Sequence, residues 1–248
     1  MNSFHQPLDG RRMFVRSVEQ FETFEFADEQ HSIRMAVTTG DATTFDAGSS
    51  HYIVVCDGEF QVSLADRKHQ LWAGCFGSFP GAVRLEGEGR AVVLSSVGYH
   101  SPILAGGPIE EQGRLRYVDG CTSSLLLPPT VRGEPCLNFM HLPRRISQTM
   151  HTHPSLRAGI ILSGCGQCET EDGVFEFRPG TAFFIPPNLP HSFQSHDETL
   201  RIVIYHPDSD SGPTHTDHTM LNRTYVGGQS AQQLTSIHSR EGVQHDAR

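Results

Sequence analysis

Residues 150–164 read MHTHPSLRAGIILSG, in which two histidines stand one residue apart just before an apolar run. In an extended chain, residues i and i+2 project from the same face, so His151 and His153 can direct their imidazole nitrogens at one ion. Pro154 is expected to end this strand at the rim of a sheet. The stretch therefore predicts half of a metal site at the edge of a β-structure.

A second segment, residues 183–191, reads FFIPPNLPH and offers another ligand. Its Pro-Pro-Asn turn can place Asn188 in the left-handed region and deliver His191 at the start of the next strand. Metal–nitrogen distances of about 2.0–2.1 Å require ligands on a rigid scaffold, which β-strands provide. Three histidines from two β-segments are thus available for one ion.

The rest of the chain favours an all-β fold. Short segments rich in branched and aromatic residues recur between Gly, Pro and Asp positions, and no long segment has a convincing helical period. These segments are SIRMAV, HYIVV, EFQVSL, AVVLSSV, SLLLP, CLNFMHL, GIILSG, VFEF, TAFFIP and LRIVIY. Residues 101–120, rich in Gly and Pro, separate two strand-rich halves, which indicates a sandwich or barrel in each.

The two halves also resemble each other. A shift of 106 residues aligns three turn residues without a gap: Gly58 with Gly164, Gly74 with Gly180, and Pro80 with Pro186. Shared turn residues at one offset predict a duplicated structural unit.

The metal-site stretch resembles the first motif of the cupin superfamily, G-x5-H-x-H-x3,4-E-x6-G. His151, His153 and Gly164 stand at the spacings of that motif. The resemblance implies a jelly-roll barrel, also called a double-stranded β-helix, with the metal inside.

The second cupin motif, G-x5-P-x-G-x2-H-x3-N, is also matched. Gly180, Pro186 and His191 stand at its spacings, while Asn188 replaces the turn glycine and Ser195 replaces the closing Asn. Asn tolerates positive φ, so the turn is expected to survive. The resemblance covers roughly residues 30–205 and implies two tandem cupin barrels, a bicupin.

The implied domains differ in their ligands. Residues 1–110 would form a degenerate N-terminal barrel without metal, residues 111–226 a metal-binding barrel, and residues 227–248 a disordered tail. The 106-residue shift places Phe45, Ala47 and Leu85 where the second copy has its three histidines. His51 is the sole possible remnant of a ligand there, and we expect it to be a hydrogen-bonded core residue.

The family's glutamate is missing from the second copy. Its position holds Arg157, and the alternative spacing offers Ala158. Three neutral imidazoles leave a divalent ion with its full charge. Such a site is similar to those of thiol dioxygenases, diketone-cleaving dioxygenases and gentisate-type ring-cleaving dioxygenases, which implies Fe(II) and an anionic substrate.

Four further features have alternative interpretations. Arg157 is either a fork for a substrate carboxylate or a rim residue paired with a surface acid. His141 faces either the pocket, as a general base or further ligand, or the surface. Cys165 and Cys168 lack a second pair, which disfavours zinc or redox use. The His215 and His218 segment is predicted to be solvated, with a lid over the barrel as the alternative.

The composition limits the classes of binding partner that are expected. Nineteen basic and 28 acidic residues give a net charge of −9 without a basic run, which disfavours nucleic acid. The N-terminus lacks the apolar core of a signal peptide and no run is long enough for a bilayer span, so we expect a cytoplasmic protein with reduced cysteines. A small-molecule substrate and a possible homodimer are the expected partners.

The sequence predicts a mononuclear metalloenzyme, with Fe(II)-dependent dioxygenase chemistry favoured and an apolar wall drawn from Ile161, Phe183, Ile185 and Phe193. One alternative is a non-oxidative isomerase, lyase or hydrolase that uses Zn(II), Ni(II) or Mn(II). The other is a small-ligand-binding cupin without catalysis.

Overall fold

The computed structural model describes residues 6–7, 10–20, 23–27 and 30–239, and its architecture is nearly all β. The strands of the first half are β1 (Gln6–Pro7), β2 (Phe14–Ser17), β3 (Phe24–Ala27), β4 (Ser32–Thr38), β5 (Thr43–Phe45), β6 (Ser49–Leu64), β7 (Arg67–Trp72), β8 (Phe76–Pro80), β9 (Val83–Val97) and β10 (Leu104–Gly106).

The second half of the chain is also built mainly from strands. Its strands are β11 (Leu115–Arg116), β12 (Thr122–Leu127), β13 (Cys136–Leu142), β14 (Arg157–Ser163), β15 (Gly166–Thr170), β16 (Gly173–Phe177), β17 (Thr181–Ile185), β18 (His191–Ser195), β19 (Leu200–His206), β20 (Tyr225–Val226) and β21 (Gln229–Ser230). One short helix, α1 (Thr219–Arg223), and single 3-10 turns at 18–20, 118–120, 231–233 and 235–237 complete the described elements. None of the helices in the described ranges is long and apolar enough to cross a bilayer.

The first half forms one nine-stranded sheet, in which β6 and β9 are the long central strands. Along β6 the pairing with β9 shifts between Val55 and Asp57, which marks a β-bulge. A bulge bends a strand and increases its twist. The same strand can therefore serve both faces of a jelly roll.

In the second half, the corresponding strands are divided between two sheets. A seven-stranded sheet has the order β11-β12-β13-β19-β14-β17-β2, and a three-stranded sheet has the order β16-β15-β18. Its bulge lies between Ile161 and Ser163, 106 residues after the first one. The local geometry thus repeats at the offset that the sequence predicts.

Glycine is required just after each bulge. Gly58 and Gly164 have φ values of 74° and 81°. A Cβ would lie 1.9 Å from the Glu88 carbonyl oxygen at Gly58 and 2.0 Å from that of Thr199 at Gly164. Any larger residue would push the paired strand away, so the close crossing of strands depends on both glycines.

The two halves pack face to face through one apolar core. Val54 and Leu94 from the first half belong to the same buried cluster as Ile160 and Val203 from the second. Aromatic rings also meet across it: Tyr52 and Tyr205 lie 5.1 Å apart, edge to face, and Phe26 and Phe184 lie 4.8 Å apart. Burial of these faces holds the two halves together.

The prediction of an all-β fold is confirmed, since all ten predicted segments contribute to strands. Three details differ. The His151–His153 segment precedes β14 as an extended stretch with one isolated bridge. Strand β2 pairs with β17, so part of residues 1–110 lies in the sheet of the second half. Short elements continue through residue 237 in the predicted tail, while residues 240–248 lie outside the described residues.

His51 is a structural residue of the first half, as expected. It is fully buried, and its Nε2–H donates to the carbonyl oxygens of Asp46 and Gly81, both at 3.0 Å. Its Nδ1 accepts a hydrogen bond from the Ser95 hydroxyl at 2.8 Å. Leu85, at the position of a lost ligand, is also fully buried in the apolar core of this half.

We expect His51→Leu to lower the free energy of unfolding by about 2–4 kcal/mol, because it leaves two carbonyls and a hydroxyl buried without partners. Burial lowers the pKa of His51 from its ordinary value of 6.5. The unfolded chain therefore binds this proton more readily, and stability should fall as the pH drops below about 6.5. Urea denaturation between pH 5 and pH 8 measures both effects.

The matched control is His100→Leu, since His100 is exposed. It should leave both the stability and its pH slope close to those of the wild type. A His51→Leu protein as stable as wild type, with the same pH slope, would contradict the structural role.

Candidate metal centre

Backbone pairing brings the three predicted histidines together. His151 and His191 form an antiparallel bridge, with N–H···O bonds of 3.0 Å and 2.9 Å in the two directions. The Asn188 N–H donates to the His153 carbonyl oxygen at 2.7 Å. Asn188 has a φ of 60°, and His191 opens β18, so the predicted turn is confirmed.

The imidazole rings converge on one point. One ring nitrogen of each histidine lies within 4.8 Å of the corresponding atoms of the other two. Nδ1–H of His151 donates to the Thr149 carbonyl at 2.7 Å, and Nδ1–H of His191 donates to the Leu189 carbonyl at 2.8 Å. Because a carbonyl can only accept, both rings carry their proton on Nδ1 and leave Nε2 as a free donor atom for metal.

The protein environment keeps the rings of His153 and His191 neutral. Burial, with the nearby Arg157 charge as the next cause, lowers the pKa of His153 to about 3. Burial lowers the pKa of His191 to about 4. A metal ligand must be an unprotonated imidazole, so at neutral pH two of the three rings are ready to bind without losing a proton.

No acid completes the set within the described part of the chain. The one cluster of potential ligands there consists of His151, His153 and His191. The cavity beside it is lined by no Asp or Glu among the described residues. The donor set of three neutral nitrogens fits Fe(II), Zn(II), Ni(II) or Mn(II) and leaves coordination positions open.

The cavity has a volume of about 140 Å³. One part of its wall is apolar, with Phe139, Met140, Phe193 and Ile204, and the other part is polar. The polar residues are Tyr117, Ser123, Asn138, Gln148, Arg157, His206 and the three clustered histidines. Of the predicted apolar wall, Phe193 lines the cavity, whereas Ile161, Phe183 and Ile185 lie in the adjacent core.

Arg157 lies in this cavity and is 9% exposed. Its Nη1 donates to the Ser155 hydroxyl at 2.8 Å and to the Leu156 carbonyl at 2.8 Å. Its Nε is buried without a hydrogen-bond partner, and no carboxylate of the described residues lies within ion-pair distance. The alternative of a rim residue paired with a surface acid is therefore wrong.

Ser155 connects Arg157 to the segment after β19. The Ser155 hydroxyl donates to a carboxylate oxygen of Asp208 while it accepts from the guanidinium. This relay fixes the orientation of Arg157 without a direct ion pair. Burial lowers the pKa of Arg157, but a guanidinium remains charged at any ordinary pH.

His141 lies outside the cavity. On β13, Asn138, Phe139 and Met140 line the cavity, whereas His141 is not among the lining residues, and its Nδ1 lies 3.3 Å from the Thr122 hydroxyl oxygen. The structure therefore shows no contact between His141 and the cavity, and a catalytic role for His141 stays a prediction.

The remaining candidates also lie elsewhere. Cys168 is buried, and burial raises its pKa to about 12, which makes it a poor nucleophile or metal ligand. His215 and His218 are exposed and line a separate surface cavity, so they do not cover the metal centre. His218 caps α1 by accepting a hydrogen bond from the Met220 N–H.

The cavity residues that the sequence analysis did not single out include His206, Tyr117 and Gln148. His206 ends the apolar strand LRIVIYH, and a histidine after a buried run is the one signal that could have indicated it. Burial and the Arg157 charge hold the pKa of His206 well below its ordinary value. Tyr117 and Gln148 lie in the irregular segments before β12 and after β13, which carry no periodic pattern.

Comparison with known proteins agrees with this architecture. The family described as AraC-like ligand binding domain matches residues 141–219, which include all three histidines. No curated protein sequence matches the chain significantly.

Several solved structures share the fold. A mutant of salicylate 1,2-dioxygenase from Pseudoaminobacter salicylatoxidans has a TM-score of 0.59 at 9% identity, covering 81% of this chain and 85% of that one. A cupin 2 conserved barrel domain protein from Leptotrichia buccalis has a TM-score of 0.55 at 14% identity, covering 80% and 90%. A deletion mutant of oxalate decarboxylase from Bacillus subtilis has a TM-score of 0.52 at 12% identity, covering 79% and 77%. The chain therefore has the cupin fold.

We expect His153→Ala and His191→Ala to weaken divalent metal binding by more than about 100-fold, since each removes one of three ligands. Metal content after purification and competition with a chelator measure the effect. His196→Ala is the matched control, because His196 is exposed in the same half of the chain. Retention of metal by His191→Ala would show that the cluster is not the binding site.

Proposed function

We propose that this chain is a mononuclear, metal-dependent bicupin enzyme, and that it is an Fe(II)-dependent dioxygenase of a small anionic or chelating substrate. The observation that carries the proposal is the cluster of three histidines without a carboxylate, placed beside a buried Arg157 in one cavity. A divalent ion and a guanidinium together leave excess positive charge there. An anionic substrate would neutralise it.

Each residue has a defined task in this proposal. His151, His153 and His191 hold the ion, with the first and last fixed by their Nδ1–H bonds to backbone carbonyls. Arg157 orients the substrate anion, because it lines the cavity and no carboxylate of the described residues lies within ion-pair distance of it. When bound, Fe(II) would bring substrate and dioxygen together and pass electrons from the substrate to the oxygen.

The cavity wall supports the same chemistry. Phe139, Met140 and Phe193 limit the access of water to one side of the site. Low local polarity strengthens the attraction between Arg157 and an anion. On the other side, the Gln148 side-chain oxygen accepts from the Phe193 N–H at 3.4 Å, so the Gln148 amide is held in the wall beside the substrate space.

The organisation of the chain is part of the proposal. The paired bulges and glycines at a spacing of 106 residues support a duplicated cupin whose first copy, within residues 1–110, is structural. The metal-binding copy lies within residues 111–226. We further propose a cytoplasmic protein that acts on a small molecule, without nucleic-acid or membrane partners, and that can pair as a homodimer.

Two alternatives have specific support. The structural likeness to an oxalate decarboxylase favours non-oxidative chemistry at His151, His153 and His191 of this chain. The match of residues 141–219 to an AraC-like ligand binding domain favours ligand binding without catalysis. In the first case turnover would not need oxygen, and in the second the ligand would be released unchanged.

Elemental analysis of anaerobically purified protein, with electron paramagnetic resonance of its nitric oxide adduct, tests the metal. We expect close to one iron per chain and the signal of a high-spin iron–nitrosyl centre. A screen of small carboxylates for metal-dependent oxygen uptake then tests the reaction. Turnover that is independent of oxygen would reject the dioxygenase, and binding without turnover would favour the ligand-binding alternative.

Arg157→Lys should raise the KM of an anionic substrate from this screen by about tenfold, and Arg157→Gln by about 100-fold, with metal content unchanged. The reason is that Lys keeps the charge but loses the guanidinium fork. Arg178→Gln, an exposed arginine of the same half, is the matched control. An unchanged KM in Arg157→Gln would exclude Arg157 from substrate binding.

A further inference from the structure

A second cavity adjoins the metal cavity. It has a volume of about 370 Å³, and it is built mainly from β12, β13 and the segment after β19. Five residues line both spaces: Ser123, Asn138, His153, Arg157 and His206. These five residues, called the neck below, form the common boundary of the inner metal cavity and the outer cavity.

The outer cavity differs from the inner one in charge. Asp208 and Asp210 line it, together with Ser209 and Ser211, whereas the described lining of the inner cavity has no acid. Asp208 accepts the Ser155 hydroxyl, and both carboxylates act on Arg157 across the cavity. One cation at the neck therefore faces two anions, which leaves one negative charge in excess.

The inner cavity is too small to hold a substrate of any length. Its 140 Å³ compares with the engineered cavity of about 150 Å³ that accepts benzene. A molecule whose anion contacts Arg157 at the neck must extend into the outer cavity once it exceeds the size of a small ring. The part of it that lies there meets two carboxylates, two hydroxyls and the apolar side chains of Leu115, Leu125 and Pro154.

We propose that the outer cavity is a subsite for a protonated amine, and that the substrate class is a small carboxylic acid that carries an amino group. Arg157 at the neck binds the carboxylate, and Asp210, with Asp208, binds the ammonium. Arg157 lines both cavities and is 9% exposed, and no carboxylate of the described residues lies within ion-pair distance of it, so its charge lacks an anionic partner. The negative and positive ends of such a zwitterion would then face Arg157 at the neck and the two aspartates of the outer cavity, respectively.

This inference rests on the proposed function for the role of the metal, but its charge pattern can be tested by binding alone. Isothermal titration of the full chain compares four probes of matched length: 4-aminobutanoate, 4-hydroxybutanoate, pentanoate and glutarate. We expect the amine to bind about three- to fivefold tighter than the alcohol, because Asp210 is exposed and its ion pair is screened. Glutarate should bind most weakly.

Asp210→Asn should abolish the preference for the amine over the alcohol and leave the affinity for pentanoate unchanged. Asp172→Asn, which removes an exposed acid from a hairpin turn outside both cavities, should retain the full preference. Equal binding of amine and alcohol by the wild type, or a preference that survives Asp210→Asn, would overturn the subsite. Failure of all four probes to bind would also overturn the subsite.

The same titrations with chelator-treated protein separate the two proposals. A preference for the amine that persists there, in a chain that proves to bind no metal, would uphold the subsite and reject the metalloenzyme. Metal-dependent oxygen uptake with no amine preference would uphold the proposed function and reject the subsite.

Discussion

The apolar core shared by the two halves is the constraint on which the rest of the structure depends. Each half contributes buried aliphatic and aromatic side chains to one cluster, in which the two halves cover each other. Their mutual burial fixes β13, β14, β17 and β19 on one side, and these strands form the wall behind the metal centre. Strand β2 reinforces the arrangement, since it leaves the first half to pair with β17.

The two halves of the chain have similar local geometry but different interiors. In the first, Phe60, Phe79 and Leu85 are fully buried, and His51 satisfies its hydrogen bonds within the core. In the second, histidines and an arginine occupy the interior, and a cavity remains. A filled interior stabilises the fold, whereas the second interior contains a cavity and a buried donor without a protein partner, Nε of Arg157. This difference in side chains distinguishes the two halves.

The electrostatics of the hollow barrel favour an anion. Burial keeps His153 and His191 neutral, and Arg157 is held by Ser155 in place of a carboxylate partner. The Ser155 hydroxyl in turn donates to Asp208. The carboxylate linked to Arg157 in this way lines the outer cavity. Positive charge therefore accumulates where the ion would bind, and negative charge where the cavity opens.

The sequence by itself determined the strands, the 106-residue repeat, the turn at Asn188 and the three histidines, because period, turn residues and ligand spacing are local properties of the chain. Only the tertiary structure decided that His141 lies outside the cavity, that Arg157 has no acid partner and that His206 joins the site. These facts depend on strand parity and on which distant segments meet. A shift of one residue in register reverses the face of every side chain, and no local pattern in CLNFMHL fixes that register.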